Sequence, residues 1–475
     1  MGQITANALA WAGLRSAGGP RKCFYLSIGY AAVVLGILFL SRAANPMQHD
    51  QILQGASRML LGAQFLLLAI GAGLIILNTI QRDRTSKMLE SHRLMPIHPR
   101  LVVLGYIAGG AAPFGFAVLF NFTGASGMPM DWWIAANVVA ITFCMFLWTI
   151  AAVAGFLGLV AAAAISIPLV FVLLSGGKVG VGIPSVLMLA SPVLGATILS
   201  GKSPISDQML LWAISFIMQL GVGSVFVEMA ARRFRHQDMP VLPAGLGLLL
   251  FGLLAGGAAI AANSFSGAIL RPFRNGNDMN TAATGTYILL LIVAAIVITS
   301  AAAADRFEHP RRAAKIADAR GLLLVLAIAF IAAAFGALVG NTAVTGDTAL
   351  IGERVLWTVA LFLVCGLLTQ LLAKWVFQVG AGTVALVCFA LVVSFAPLLL
   401  SMAFMDDERR ELTATGQIVS QISPFAMIVA IWSGRRAAEV QPLSLAILAS
   451  MIAIPMLLLA RQKQGGMSAM LKASQ

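Results

Sequence analysis

The sequence predicts an all-α, polytopic helical integral membrane protein, with about 12 transmembrane helices as a 6+6 parallel internal repeat. Three observations predict it. Of the 475 residues, 60% are apolar and only 10% are charged, with a mean hydropathy of +0.93. No water-soluble fold needs that balance. Apolar runs of about 17 to 25 residues recur along the whole length, which is what a helix needs to cross a bilayer. Marker residues of the first half then recur, in the same order, in the second. Lipid offers no partner for open backbone groups, so each run satisfies its own amides as a helix.

Taken in order, residues 1–23 form an N-terminal interfacial segment, in which Ile4, Ala8, Trp11 and Leu14 share one helical face. The first six-helix transmembrane unit covers residues 24–240, with spans near 24–41, 57–80, 101–122, 132–152, 156–174 and 208–230. The second covers residues 241–475, with spans near 243–262, 285–304, 321–340, 355–373, 379–404 and 441–460. With both termini cytoplasmic, 20 of the 31 Lys and Arg residues lie inside and 11 of the 18 acidic residues outside. That bias follows the positive-inside rule for a plasma (inner) membrane. The net charge of +13 is therefore a topology signal and not a nucleic-acid footprint. Trp132, Trp133, Trp212 and Trp357 fall at outer span ends, where interfacial tryptophans sit.

The repeat rests on pairs of markers. Asp83-Arg84 recurs as Asp305-Arg306, Pro168 as Pro397, and Ser191-Pro192 as Ser423-Pro424, each about 220 to 230 residues further on. An even number of spans per unit gives both units the same orientation. The segments Gly176–Lys202 and Met405–Arg436 follow the fifth and eleventh spans, and both mix apolar residues with Ser-Pro steps. The run from Asp406 to Glu411 is expected to be solvated.

Little chemistry lies within the spans. Cys23, Cys144, Cys365 and Cys388 are dispersed and suggest neither a disulfide framework nor a metal site. His49, His92, His98, His236 and His309 all fall in connections, where they are expected to be solvated. Glu228 lies at the inner end of the sixth span, with Arg232 four residues on as its expected partner. The stretch Gly195–Ser203 imitates a phosphate-binding loop. Its spacing is one residue too long and no strand precedes it, so no ATPase site is expected. No cofactor and no catalytic residue is expected, so the chain is read as a non-enzyme.

The most informative stretch runs from Arg82 to Gly105. Asp83, Arg84, Lys87, Glu90 and Arg93 recur at helical steps, and Met88, Leu89 and Leu94 add apolar contacts. Pro96 stops the helix, Pro99 keeps the next residues extended, and Leu101 opens another apolar run. The direct reading is a short amphipathic helix on a membrane face. Its counterpart from Asp305 to Gly321 carries Asp305, Glu308, Arg312, Lys315 and Asp318 at helical spacing.

Asp83-Arg84, Met88-Leu89-Glu90, Met95-Pro96 and the run Pro99–Gly105 resemble the cytoplasmic segment of ATP-binding-cassette permeases of the second, mostly exporting type. Two positions depart from that pattern: Lys87 stands where a glycine is usual, and Tyr106 where a basic residue is usual. The resemblance implies a coupling helix that docks on a separate ATP-binding subunit, present in two copies. It implies that Asp83, Arg84, Met88, Leu89, Glu90 and Pro96, with Asp305, Arg306, Glu308 and Arg312 in the second unit, form the docking surfaces. It agrees with the repeat in pointing to two six-span units fused in one chain, while the apolar spans themselves point to an unknown small or lipidic substrate. A secondary transporter of the major-facilitator kind is the alternative, since it too has an Asp-Arg motif after its second and eighth spans. Thr79 in place of that motif's leading glycine, the long helix-like loop and the missing intramembrane charges weigh against it. A non-transporting membrane scaffold is a further alternative.

Overall fold

The computed structural model describes residues 19–43, 60–94, 96–115, 130–157, 205–235, 242–265, 287–288, 290–302, 319–340 and 348–378. It also describes residues 405–406, 411–412, 423–424, 427–428, 431 and 450. The predicted spans at 156–174, 379–404 and 441–460 fall wholly or almost wholly outside these residues. So do Asp305, Arg306, Glu308, Arg312 and the phosphate-loop imitation. Among the described residues the structure is helical, apart from one antiparallel pair, Met405–Asp406 with Glu411–Leu412. The two ends of the charge run predicted to be solvated, Asp406 and Glu411, are thus paired as strand.

Four helices among the described residues are long and apolar enough to cross a membrane: Leu60–Thr85, Ala140–Leu157, Arg320–Leu338 and Gly352–Ala373. Their 18 to 26 residues correspond to about 27 to 39 Å of helix. Shorter apolar helical stretches occur at Cys23–Gly36, Ala244–Gly257 and Leu290–Ala302. This supports a helical, membrane-spanning chain.

The chain divides into two compact units whose boundary falls near residue 241. In the first unit, α1 is Gly19–Ala43, α2 is Leu60–Thr85, α3 is Met88–Leu94, α4 is Pro99–Ala111, α5 is Met130–Leu157 and α6 is Ile205–Arg235. Its core is a stripe of α2 side chains one turn apart. Leu68, Ala72, Ile76 and Ile80 meet Val102, Val103 and Tyr106 of α4, Trp148, Ala152 and Phe156 of α5, and Ala230 and Phe234 of α6. Trp133, predicted for the interface, is buried at the start of α5.

Two features let these helices approach closely. α2 widens into a π-helical turn at Leu67–Ala72, and the indole Nε1 of Trp148 donates to the Leu68 carbonyl there at 2.7 Å. A turn of this kind leaves carbonyls without their usual helical donor, and Trp148 supplies one. Glycines line the contacts: a Cβ on Gly71 would lie 2.8 Å from the Phe114 ring, and one on Gly155 would lie 3.0 Å from Ile80. Small residues at such crossings let backbones draw together where no hydrophobic drive operates between helices in lipid.

In the second unit, α7 is Ala244–Phe265, α8 is Leu290–Ala302, α9 is Ala319–Gly340 and α10 is Thr348–Gln378. The same device recurs. Gly366 faces Val325 and Ile298, Gly247 faces Val297, and Gly336 faces the Tyr287 hydroxyl. That hydroxyl donates to the Ala332 carbonyl at 3.3 Å.

Candidate functional site

The site is built where α2 ends. The helix runs past the predicted limit near residue 80 to Thr85, carrying Asp83 and Arg84 in its last turn. Two hydroxyls help to satisfy its final carbonyls. Thr85 donates to the Arg82 carbonyl at 2.9 Å and Ser86 to the Asp83 carbonyl at 3.3 Å. The chain then reverses at Lys87, whose φ of 58° is left-handed. That conformation costs an L-residue with a Cβ roughly 1–2 kcal/mol, and glycine almost nothing. Glycine is therefore the residue that would hold this turn at least cost. Lys87→Gly is expected to stabilise the first unit by roughly 0.5–1 kcal/mol, after the added flexibility of the unfolded chain is deducted. Thermal unfolding in detergent measures this, and an unchanged or lower midpoint counts against the strain.

After this turn comes α3, seven residues from Met88 to Leu94. Leu89 and His92 point inward and are buried. Met88, Glu90, Ser91 and Leu94 are exposed, and Leu94 retains 87% of its accessible surface. α3 ends ahead of the exposed Pro96, as expected. Pro99 behaves differently from the expectation. It does not prolong an extended stretch but occupies the first turn of α4, where its missing N–H is not needed. His98 caps that helix: its Nδ1 accepts from the Arg100 amide at 3.3 Å.

The inner face of α3 is clamped. The Tyr106 hydroxyl donates to Asp83 Oδ2 at 2.6 Å, and His92 Nδ1 lies 3.1 Å from that hydroxyl. The same ring nitrogen is 3.9 Å from Asp83 Oδ2. Next to it, Arg93 Nε donates to the Phe234 carbonyl, and its guanidinium lies 5.8 Å from the Phe234 ring centre. Phe156 bridges the two anchor points, its ring 6.0 Å from both Tyr106 and Phe234 in edge-on contacts. One row of rings from α4, α5 and α6 thus seats the short helix.

Several expectations change. His92 is buried, not solvated, because its ring has a hydroxyl partner inside the bundle. Glu228 makes an ion pair with Arg100 of α4, a partner the sequence did not suggest; the two helices pack side by side and bring the pair to 2.5 Å. The Arg100 side chain is 60% exposed, so this pair contributes little beyond alignment. The six described residues named for docking also divide. Asp83 is directed at Tyr106 and Leu89 is buried, whereas Arg84, Met88, Glu90 and Pro96 are exposed. Sequence reasoning named Tyr106 only as a departure from a pattern, His92 as a solvated ring and Arg93 as a charge at a helical step, and joined none of them to the site. The available signal was a tyrosine early in an otherwise aliphatic run, since a buried hydroxyl needs a partner.

Fold and site together define a helical membrane-spanning chain whose first unit holds a short, two-sided helix against the ends of its long helices. Comparisons with protein-family models, with curated proteins and with solved structures found no match to this chain.

Proposed function

We propose that this chain is the permease subunit of an ATP-binding-cassette transporter, acting in export. A separate ATPase subunit, in two copies, would dock on α3 and on its counterpart near Asp305–Arg312. One observation carries the reading: α3 is fixed by its inner face and presents Met88, Glu90 and Leu94 outward. An amphipathic helix whose inner face is already paired offers its outer face to something else, and exposed apolar residues beside a charge suit a protein partner. The left-handed turn at Lys87 adds support, since the resembled pattern has glycine there. Twelve spans, the fused parallel 6+6 arrangement with a break near residue 240 and the cytoplasmic termini in an inner membrane belong to the same proposal. The chain brings no ATPase of its own to it.

The orientation is tested first. A cysteine placed at the exposed Ser91 is expected to react with a membrane-impermeant thiol reagent only after cells are opened. Labelling from outside intact cells reverses the topology and removes the docking argument. The energy source is tested in sealed vesicles holding the chain with or without an ATPase captured by co-purification, using a fluorescent phospholipid analogue as cargo probe. Movement is expected only with both ATP and the partner, and is expected to survive an uncoupler. Movement by the chain alone that an uncoupler abolishes favours a major-facilitator mechanism.

A further inference from the structure

The hydroxyl of Tyr106 has one proton. It is committed to the Asp83 carboxylate, the shorter of its two contacts at 2.6 Å. Its 3.1 Å contact with His92 can then be a hydrogen bond only if His92 Nδ1 is the donor. The order is therefore fixed: His92 Nδ1–H donates to Tyr106 Oη, and Tyr106 O–H donates to Asp83 Oδ2. The three groups come from α3, α4 and α2. Tyr106 retains 2% of its accessible surface and His92 8%. A bond to a carboxylate in such surroundings is strong, and each bond in the relay polarises the next.

We propose that this relay is a latch that sets the position of α3, with Tyr106 and His92 as positioning residues for the coupling helix. This rests on the reading of α3 as that helix. His92 and Arg93 are consecutive, and they hold opposite ends of the row Tyr106–Phe156–Phe234. Arg93 ties α3 to the last turn of α6. The relay ties it to α2 and α4. Without the relay, α3 keeps the Arg93 anchor and the buried Leu89, and pivots about them. A displacement of α3 with the latch closed moves the ends of α2, α4 and α6 together.

The test uses the full chain in lipid nanodiscs, without any partner, and reads hydrogen exchange of the α3 amides. Tyr106→Phe keeps the ring in its row and removes both hydrogen bonds. It is expected to speed exchange at Ser91–Leu94 about tenfold or more, while amides in the middle of α5 keep their parental rates. His92→Leu is expected to do the same. His92→Asn, whose amide N–H can take the place of Nδ1–H, is expected to restore exchange to within about threefold of the parent. The double variant Tyr106→Phe with His92→Leu is expected to exchange no faster than Tyr106→Phe alone, since one relay is lost in either case. Parental exchange in Tyr106→Phe overturns the latch, as do failure of Asn to rescue and additive effects in the double variant. If Tyr106→Phe fails to fold, the Leu and Asn pair at position 92 decides the matter. Absence of ATP-driven transport by the parent chain together with a partner ATPase would remove the proposed function and leave this measurement intact.

Discussion

Leu94→Glu is expected to weaken binding of the proposed ATPase partner about thirtyfold while leaving the chain folded and inserted. Leu94 closes α3 and retains 87% of its accessible surface, and Met88, at the other end of the helix, retains 52%. Neither makes a contact on which the first unit's core depends, since the inward positions are Leu89 and His92. A change at so exposed a residue alters folding stability by no more than about 0.5 kcal/mol. At a docked surface the same change removes an apolar anchor and buries a carboxylate. Losses of about 2 kcal/mol or more are typical of such anchors and correspond to the thirtyfold effect. Glu90→Lys, on the same exposed face, is expected to weaken binding through charge and to do so less at high salt. Equilibrium binding of the purified ATPase to nanodisc-embedded chain measures both. Parental affinity for Leu94→Glu sinks the assignment of this face as the docking surface.

Gly110→Ala and Gly73→Ala are expected to move stability in opposite directions. A Cβ on Gly110 would run into the Ile76 side chain and lie 3.2 Å from the Ile76 backbone nitrogen. The obstacle includes main chain, so rotating a side chain does not relieve it. α2 and α4 would have to separate, which disturbs the core of Ile76, Val102 and Tyr106 and costs about 1–3 kcal/mol. A Cβ on Gly73, by contrast, meets nothing within 4 Å. There alanine relieves the conformational cost of glycine in a helix and stabilises by up to about 1 kcal/mol. Thermal unfolding followed by fluorescence-detected size exclusion compares the two variants. Equal effects would mean that the close approach of α2 and α4 has no energetic consequence.

Which parts of this were legible in the sequence follows from the range of the interactions. Helices that can cross a membrane announce themselves through local apolar runs, because the solvent each run requires is a property of the run itself. The helix from Leu60 was predicted for that reason, as were those from Ala140, Arg320 and Gly352, apart from a few residues at their ends. The short helix after Asp83-Arg84 was legible through its helical steps and the proline that follows. Which side of it faces inward was not, since Met88 and Leu89 are both apolar and adjacent. Burial of Leu89 and exposure of Met88 are decided by where α2, α4 and α6 stand. The partners were equally hidden. Tyr106 reaches Asp83 across 23 residues of chain, Arg100 reaches Glu228 across 128, and Arg93 reaches the Phe234 carbonyl across 141. No periodicity records a contact of that range. The sequence by itself determined that the chain forms long apolar helices with a charged, two-sided segment between two of them. Only the tertiary structure decided that Asp83 and His92 turn inward to share one hydroxyl. A buried polar group must find its partner wherever packing brings one, and here packing brought Tyr106.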